Sequence, residues 1–301
     1  MPPIASRLLR AGPRLAAALL VALPTGGCGQ KLLNALVPDG GYRLERDLAY
    51  GELPRQRLDL YVPDGLAGPA PVVVFFYGGR WEAGNKGEFR FVGQALAARG
   101  LIAVIPDYRR YPEVRFPTFV ADGAAAVAWV RNNLAGLGGD PGSLHLMGHS
   151  AGAHIAALLA LDHRYLAAAG VDRDAVGSFV GLAGPYDFLP LDDPTLEAIF
   201  AADDMAATQP ITFADRTAPP TLLLHGEDDE TVMPANSERL ATALAAAGNR
   251  AALELYPGLG HIGLVAALAA PLRWLAPVLD DVTAFLREEH RSGKAKTAAR
   301  Q

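Results

Sequence analysis

Gly148-His149-Ser150-Ala151-Gly152 lies where a strand-like pattern changes into a helix-like one. Ser143–Met147 before it is β-like, and the alanine- and leucine-rich run Ala151–Leu161 after it is typical of a helix. A serine hydroxyl raised on a tight strand-to-helix turn needs small neighbours, because bulky side chains two residues away would clash. Ser150 is therefore a candidate nucleophile. Glycine and serine are also ordinary turn residues, so this interpretation depends on partners elsewhere in the chain.

Strand and helix patterns alternate on both sides of this turn. Tyr42–Tyr50 and Gln56–Val62 alternate polar and apolar residues, which predicts an antiparallel hairpin. Pro71–Phe76 and Leu101–Ile105 are continuous apolar runs, typical of central parallel strands covered by helices. Further predicted strands are Ser143–Met147, Ser178–Ala183, Thr221–His225 and Ala252–Tyr256, and the predicted helices are Phe89–Arg99, Phe119–Leu134, Ala151–Leu161 and Ser237–Ala247. The sequence thus predicts an α/β fold with a mostly parallel central sheet, an antiparallel N-terminal hairpin and helices on both faces.

One α/β domain over residues 42–290 accounts for this pattern. Residues 187–220 interrupt it with a short helix, about 194–204, and a proline-containing loop, which predicts a small cap insertion. Residues 28–41 form a predicted linker. Residues 291–301 are polar, basic and without an apolar pattern, which predicts a disordered tail.

The composition is that of an ordinary globular protein with a sizeable core. The chain has 301 residues, of which 50% are hydrophobic and 20% charged, and its formal net charge is -5. A net negative charge gives the surface no general positive potential that would attract the phosphates of a nucleic acid. We therefore expect no nucleic-acid binding. The histidines at positions 145, 149, 154, 163 and 225 have no evident metal-ligand spacing with carboxylates. We therefore expect no metal and no cofactor.

The N-terminus has the order of a secretory signal, which we assign to residues 1–27. Three arginines between positions 7 and 14 precede the short apolar run Leu15–Leu23, and Pro24–Gly27 follow it. Cys28, the only cysteine, comes next, so the segment resembles a bacterial lipoprotein signal that leaves Cys28 for lipidation. Thr25 stands where such signals usually carry leucine, so plain export stays open. The sequence predicts an exported protein, periplasmic or membrane-anchored.

A serine nucleophile requires a base, and the base requires an acid that orients it. The acidic segment His225–Val232 and the glycine-rich Gly258–His261 each follow a predicted strand, so the order along the chain is serine, acid, histidine. Open α/β sheets build their sites at the carboxyl ends of their strands. We therefore expect these loops to meet at one edge of the sheet.

In these segments the chain resembles an α/β-hydrolase, similar to the bacterial esterase/lipase branch related to hormone-sensitive lipase. The family's His-Gly-x-x-Asp-x-x-Val pattern implies that Asp229 is the acid, with Asp228 as the fallback, and its Gly-His pair implies that His261 is the base. Asp107-Tyr108-Arg109, followed by Pro112-Glu113 and Phe116-Pro117, resembles the family's Asp-Tyr-Arg segment, which helps to shape the site.

A tetrahedral intermediate also needs backbone N–H donors for its oxyanion. Ala151, directly after the nucleophile, is one expected donor. Tyr77-Gly78-Gly79-Arg80-Trp81 resembles the family's His-Gly-Gly-Gly loop, which implies donors at Gly79 and Arg80, with Gly78 as a further candidate. This chain departs from that loop twice. Tyr77 replaces the histidine, which alters the buttressing of the loop, and Arg80 replaces the third glycine, so its side chain is expected to narrow or charge the acyl entrance.

Together these residues predict a serine hydrolase of carboxylic esters, with short-chain or small esters as substrates and an acyl-enzyme on Ser150. Two alternatives stay open. In the first alternative, the same residues act on peptides, thioesters, formamides or acylated polysaccharides. In the second, the chain is an exported binding protein that keeps the fold without catalysis. The sequence does not indicate an oligomeric state.

Overall fold

A computed structural model describes residues 33–214 and 217–298 of the chain. The predicted signal peptide and Cys28 lie outside these residues. The strands are β1 (Tyr42–Ala49), β2 (Arg57–Pro63), β3 (Ala70–Phe76), β4 (Ile102–Pro106), β5 (Gly139–His149), β6 (Val176–Leu182), β7 (Thr221–Gly226) and β8 (Ala251–Tyr256). They form a single eight-stranded sheet in the order β1-β2-β4-β3-β5-β6-β7-β8.

The sheet is mostly parallel, with an antiparallel start. β1 pairs with β2 and β2 with β4 in antiparallel register, and every other neighbouring pair is parallel. Every residue of β3 and β4 is buried, which is why their sequences are continuous apolar runs. The edge strand β8 alternates between exposed and half-buried residues over most of its length. The predicted hairpin and fold class are confirmed.

The helices surround this sheet. They are α1 (Arg90–Ala97), α2 (Thr118–Asn133), α3 (Ala151–Leu161), α4 (His163–Ala168), α5 (Pro194–Ile199), α6 (Ala235–Ala246), α7 (His261–Ala266) and α8 (Val278–Ala298). Helices α1 and α8 pack against each other, and α2, α3 and α4 form a second packed group. Within 33–214 and 217–298, no helix is both long and apolar enough to cross a membrane.

Two end segments differ from the sequence prediction. Helix α8 continues to Ala298, so residues 291–298 are helical where a disordered tail was predicted. Arginine, lysine and alanine, which are strong helix formers, make up most of this segment and favour continuing an existing helix despite Gly293. Part of the predicted linker is packed on the domain: Leu33 and Val37 are buried, and the Asn34 side chain bonds the backbone of Gly87 and Phe91.

The cap segment 187–220 contains less regular helix than predicted. Helix α5 ends at Ile199, five residues before the predicted end, and 3₁₀ turns follow at Ala206–Thr208 and Pro210–Phe213. The side chain of Asn236 at the start of α6 accepts hydrogen bonds from the backbone of Tyr186 and Asp187, both at 3.0 Å. These bonds attach the N-terminal start of the cap segment to the main domain.

The glycines of the strand-to-helix turn are required by close backbone contacts. A Cβ added at Gly152 would overlap the carbonyl oxygens of Phe76 and Tyr77, and one at Gly148 would overlap the backbone of Gly152 itself. The end of β5 and the start of α3 are thus pressed against β3. This contact places Ser150 beside the loop that follows β3.

We predict that Gly152→Ala lowers the free energy of unfolding by about 1–3 kcal/mol, because backbone atoms of β3 cannot move aside cheaply. Gly142→Ala is the matched control, since an added Cβ on this exposed glycine of β5 has only an ordinary contact, 3.5 Å from Asp140 Oδ1. Urea unfolding of both variants measures the difference. Equal stabilities would contradict the close contact.

Candidate active site

Ser150 is held in an unfavourable backbone conformation at the tip of the turn. It has φ 55° and ψ −125°, a region that residues other than glycine seldom adopt. The strain, of the order of 1–3 kcal/mol, persists because the surroundings impose it. One such restraint is the Ser150 N–H, which donates to the carbonyl of Leu182 on β6 at 2.9 Å. The side chain is largely buried but reaches the edge of the sheet where the other candidate residues lie.

Ser150, His261 and Asp229 form a continuous chain of hydrogen bonds. His261 Nδ1 lies 2.7 Å from Asp229 Oδ2, and His261 Nε2 lies 2.8 Å from Ser150 Oγ. A carboxylate accepts only, so Nδ1 carries the proton. Nε2 therefore has a free lone pair and accepts from the serine hydroxyl. The three loops after β5, β7 and β8 thus meet in the order that the sequence predicts.

Asp229 is buried and has two donors on the backbone of its own loop. Oδ1 accepts from the N–H groups of Thr231 and Val232, both at 2.9 Å. Burial alone would raise the pKa of Asp229, but hydrogen bonds from His225, His261 and Val232 hold it well below its usual range. Asp229 is therefore ionised. Asp228, the fallback acid, has an exposed side chain instead.

His149 connects the serine turn to the loop that carries His261. Its Nε2 lies 3.2 Å from the carbonyl oxygen of His261, and the two rings are 4.8 Å apart. Because a carbonyl only accepts, Nε2 must carry the proton and donate. Burial lowers the pKa of His149 to about 3, so the ring is neutral. The residue before the nucleophile therefore positions the backbone of the candidate base.

The loop after β3 passes directly beside the nucleophile. A Cβ at Gly78 would lie 2.9 Å from Ser150 Cβ and 3.0 Å from His149 Nδ1, so only glycine fits. Gly79, Arg80 and Trp81 all have positive φ, and the N–H groups of Glu82 and Ala83 close the turn on the Gly79 carbonyl. The backbone of this loop is thus bent tightly against Ser150.

Tyr77, the first residue of this loop, supports it through hydrogen bonds of its hydroxyl group. Its hydroxyl donates to Asp107 Oδ1 at 2.6 Å, and the same oxygen accepts from the backbone N–H of Lys86 at 2.8 Å. Burial raises the pKa of Tyr77 well above its ordinary value, so the hydroxyl stays protonated. Arg55 donates to the Tyr77 hydroxyl at 3.0 Å and to the carbonyl of Gly84 at 2.7 Å. Both ends of the 77–86 loop are therefore tied to one polar cluster.

The Arg80 side chain points to the cap. Its guanidinium pairs with Asp193 Oδ2 at 3.1 Å and with Glu82 Oε1 at 3.3 Å. Asp193 also caps α5, because its Oδ1 accepts from the N–H groups of Thr195 and Leu196. An exposed pair of this kind adds little to stability, because water and salt screen it. Its structural effect is to join the loop after β3 to the start of the cap helix.

Trp81 anchors the same loop in an aromatic cluster under the cap. Its ring meets Phe200 edge to face at 4.7 Å and stacks near Phe188 at 6.0 Å. His154, one turn after Ser150, joins this cluster, and its Nε2 donates to the carbonyl of Thr208 in the cap at 2.8 Å. The cap, the loop and the first turn of α3 are thus packed together.

Three features of the site were not predicted as such: the bond between Tyr77 and Asp107, the tie from His149 to the His261 loop, and a contact between His225 and Asp229. His225 was visible in the sequence as the first residue of the pattern that identified Asp229. In the described part of the chain, no group of three or more histidine, cysteine or acidic side chains is placed to hold a metal ion.

Comparisons with known proteins identify relatives of this chain. The BD-FAE family profile matches residues 58–244. An isoprenylcysteine alpha-carbonyl methylesterase from Arabidopsis thaliana is 33% identical over 84% of this chain and 64% of its own length. Esterase LipC from Mycobacterium tuberculosis is 32% identical over 83% of this chain and 66% of its own length. The chain thus spans less than two thirds of the length of these two relatives.

Among solved structures, esterase 2 of Thermogutta terrifontis is similar. Its form phosphoramylated by tabun is 26% identical, with a TM-score of 0.70 over 83% of this chain and 96% of that one. The same esterase has a structure with butyrate bound, with a TM-score of 0.68. The similarity therefore extends over nearly the whole of that enzyme.

We predict that Tyr77→Phe lowers kcat roughly 10-fold with KM within about twofold, because losing a hydrogen bond to a charged group loosens the loop beside Ser150. Tyr256→Phe is the matched control, since its hydroxyl also lies 2.6 Å from a carboxylate, Asp281 on α8, away from that loop. Steady-state ester hydrolysis measures both. Equal kcat values for the two variants would contradict a buttressing role.

Proposed function

The chain belongs to the BD-FAE family, with the α/β-hydrolase fold, and on that premise we propose that it is a serine hydrolase of carboxylic esters. The observation that carries this proposal is the unbroken hydrogen-bonded chain from Ser150 through His261 to Asp229. Such a chain activates a hydroxyl that is otherwise a weak nucleophile. The similar methylesterase and esterases support the same activity.

Each residue has a defined role in the proposed mechanism. Ser150 Oγ attacks the ester carbonyl while His261 Nε2 takes the hydroxyl proton. The ionised Asp229 holds His261 in the required tautomer and stabilises the imidazolium that forms. His261 then gives the proton to the leaving alcohol, and water hydrolyses the acyl-enzyme by the same route in reverse.

Backbone N–H groups of Ala151, Gly79 and Arg80 are the proposed oxyanion donors, with Gly78 as a further candidate. Ala151 is the first residue of α3, so its N–H has no partner within the helix. Across 33–214 and 217–298, the N–H groups of Gly79 and Arg80 donate to no other backbone group. Free donors beside a nucleophile are what a developing oxyanion requires.

Short-acyl or small soluble esters are the proposed substrates. The cap is small and well packed, and a solved structure of the similar esterase has butyrate bound. Peptides, thioesters, formamides and acylated polysaccharides use the same chemistry, so a panel varying acyl length and leaving group separates these classes. Rates that rise with acyl length would overturn the short-acyl proposal.

Export and lipidation at Cys28 complete the proposal. The support is the order of arginines, apolar run, small residues and a single cysteine at the N-terminus. Lipidation would attach the enzyme to a membrane surface through its N-terminus, with the domain from residue 42 onward outside the bilayer.

We predict that Ser150→Ala lowers kcat for p-nitrophenyl acetate by roughly 10⁶-fold, as removing the nucleophile does in other serine hydrolases. Ser143→Ala removes a buried hydroxyl from β5, the strand that leads to Ser150, and is expected to keep turnover near the wild-type rate. Circular dichroism verifies that both variants fold. Undiminished turnover by Ser150→Ala would exclude this mechanism.

Asp229→Asn and Asp228→Asn differ sharply in their expected effects. We predict a loss of about 10⁴ in kcat for Asp229→Asn, because an amide can favour the wrong tautomer of the base. Asp228→Asn alters an exposed side chain on the same loop and is expected to change kcat by less than about threefold. The reverse ranking would assign the acid to Asp228.

A further inference from the structure

His225 is a fully buried histidine for which the proposed mechanism has no role. It is the first residue of the pattern that supplies the acid, four positions before Asp229. Its Nε2 lies 2.8 Å from the carbonyl oxygen of Val232 and 3.2 Å from Asp229 Oδ2. Its Nδ1 lies 2.7 Å from the hydroxyl oxygen of Ser237 on α6. Both nitrogens of the ring therefore have partners.

The partners determine which nitrogen donates. Nε2 faces a carbonyl and a carboxylate, and neither group can donate a hydrogen bond. The proton must therefore lie on Nε2, which is shared between Val232 and Asp229. The Ser237 hydroxyl can donate a hydrogen bond to Nδ1. A single proton, on Nε2, is therefore enough for both ring nitrogens to be hydrogen-bonded.

This places a second histidine on the oxygen of Asp229 that holds the base. Oδ2 accepts from His261 Nδ1 and lies 3.2 Å from His225 Nε2, while Oδ1 accepts from the backbone N–H groups of Thr231 and Val232. Three hydrogen bonds and the His225 contact leave the carboxylate little freedom to rotate. A carboxylate that rotates would lose the short bond to His261 Nδ1.

We propose that His225 is a positioning residue for catalysis: it fixes the Asp229 carboxylate so that Oδ2 stays directed at His261. The inference rests on the proposed ester hydrolysis. His225 touches no substrate or reacting atom in this account and acts only through Asp229. The contact with the Val232 carbonyl supports the same task, because it holds the turn whose N–H groups bind Oδ1.

The experiment compares His225→Leu with His225→Gln in hydrolysis of p-nitrophenyl acetate. His225→Leu removes the donor and is expected to lower kcat by about 10- to 100-fold with KM within about twofold, as for a hydrogen bond to a charged group. His225→Gln supplies a side-chain N–H at similar reach and is expected to restore kcat to within about fivefold of wild type.

His145→Leu controls for the loss of a buried histidine. His145 is also buried and held by two serine hydroxyls, Ser143 and Ser178, both at 2.8 Å. We expect the midpoint of thermal unfolding to fall in both leucine variants, with kcat near the wild-type value in His145→Leu. All rates are measured well below the lowest unfolding midpoint, so differences in kcat do not reflect unfolded protein.

The outcomes separate this inference from the function on which it rests. A wild-type kcat in His225→Leu, a failure of His225→Gln to restore it, or an equal loss in His145→Leu would overturn the positioning role. A failure of the proposed function is a different result, namely no hydrolysis by the wild-type chain or undiminished hydrolysis by Ser150→Ala.

Discussion

The close backbone contact between β3 and the turn after β5 is the constraint on which the site depends. Gly152 lies against the carbonyl groups at the end of β3, and this leaves no room for a side chain. Ser150, two residues before Gly152, has a positive φ of 55°, and its Oγ lies 2.8 Å from His261 Nε2. The contact also brings the loop after β3 against the nucleophile, because the two backbones meet at Gly78. One packing requirement thus positions both the nucleophile and the proposed oxyanion donors.

Hydrogen bonds then fix the two remaining loops relative to that turn. His149, the residue before Ser150, bonds the backbone of the His261 loop. Asp229 accepts hydrogen bonds from His261 and from two backbone N–H groups of its own loop. Two members of this network, His149 and Asp229, have shifted pKa values. Burial keeps His149 uncharged, while hydrogen bonds keep the Asp229 carboxylate ionised. A fixed negative charge behind a neutral base is the arrangement that favours proton transfer from a serine hydroxyl.

The sequence predicted what depends on local pattern. Buried strands, the strained turn and the order of serine, acid and histidine are visible because backbone geometry restricts the residues allowed there. The partnership of Tyr77 with Asp107 was not visible, because it joins side chains 30 positions apart whose directions are set by packing. Short helices such as α4 and α7 were missed for a related reason, since tertiary contacts and not propensity stabilise helices of six residues. Asp229 was predicted as the acid from the family pattern, whereas the feature that distinguishes it physically from Asp228 is its burial.

Covalent labelling with a fluorophosphonate, located by peptide mass mapping, tests the central claim most directly. These reagents react with a serine hydroxyl that an adjacent base activates. The geometry predicts one label per chain, on Ser150, and loss of that label in His261→Ala. An unlabelled Ser150 in the folded protein would contradict an activated nucleophile and favour a binding protein that keeps the fold without catalysis.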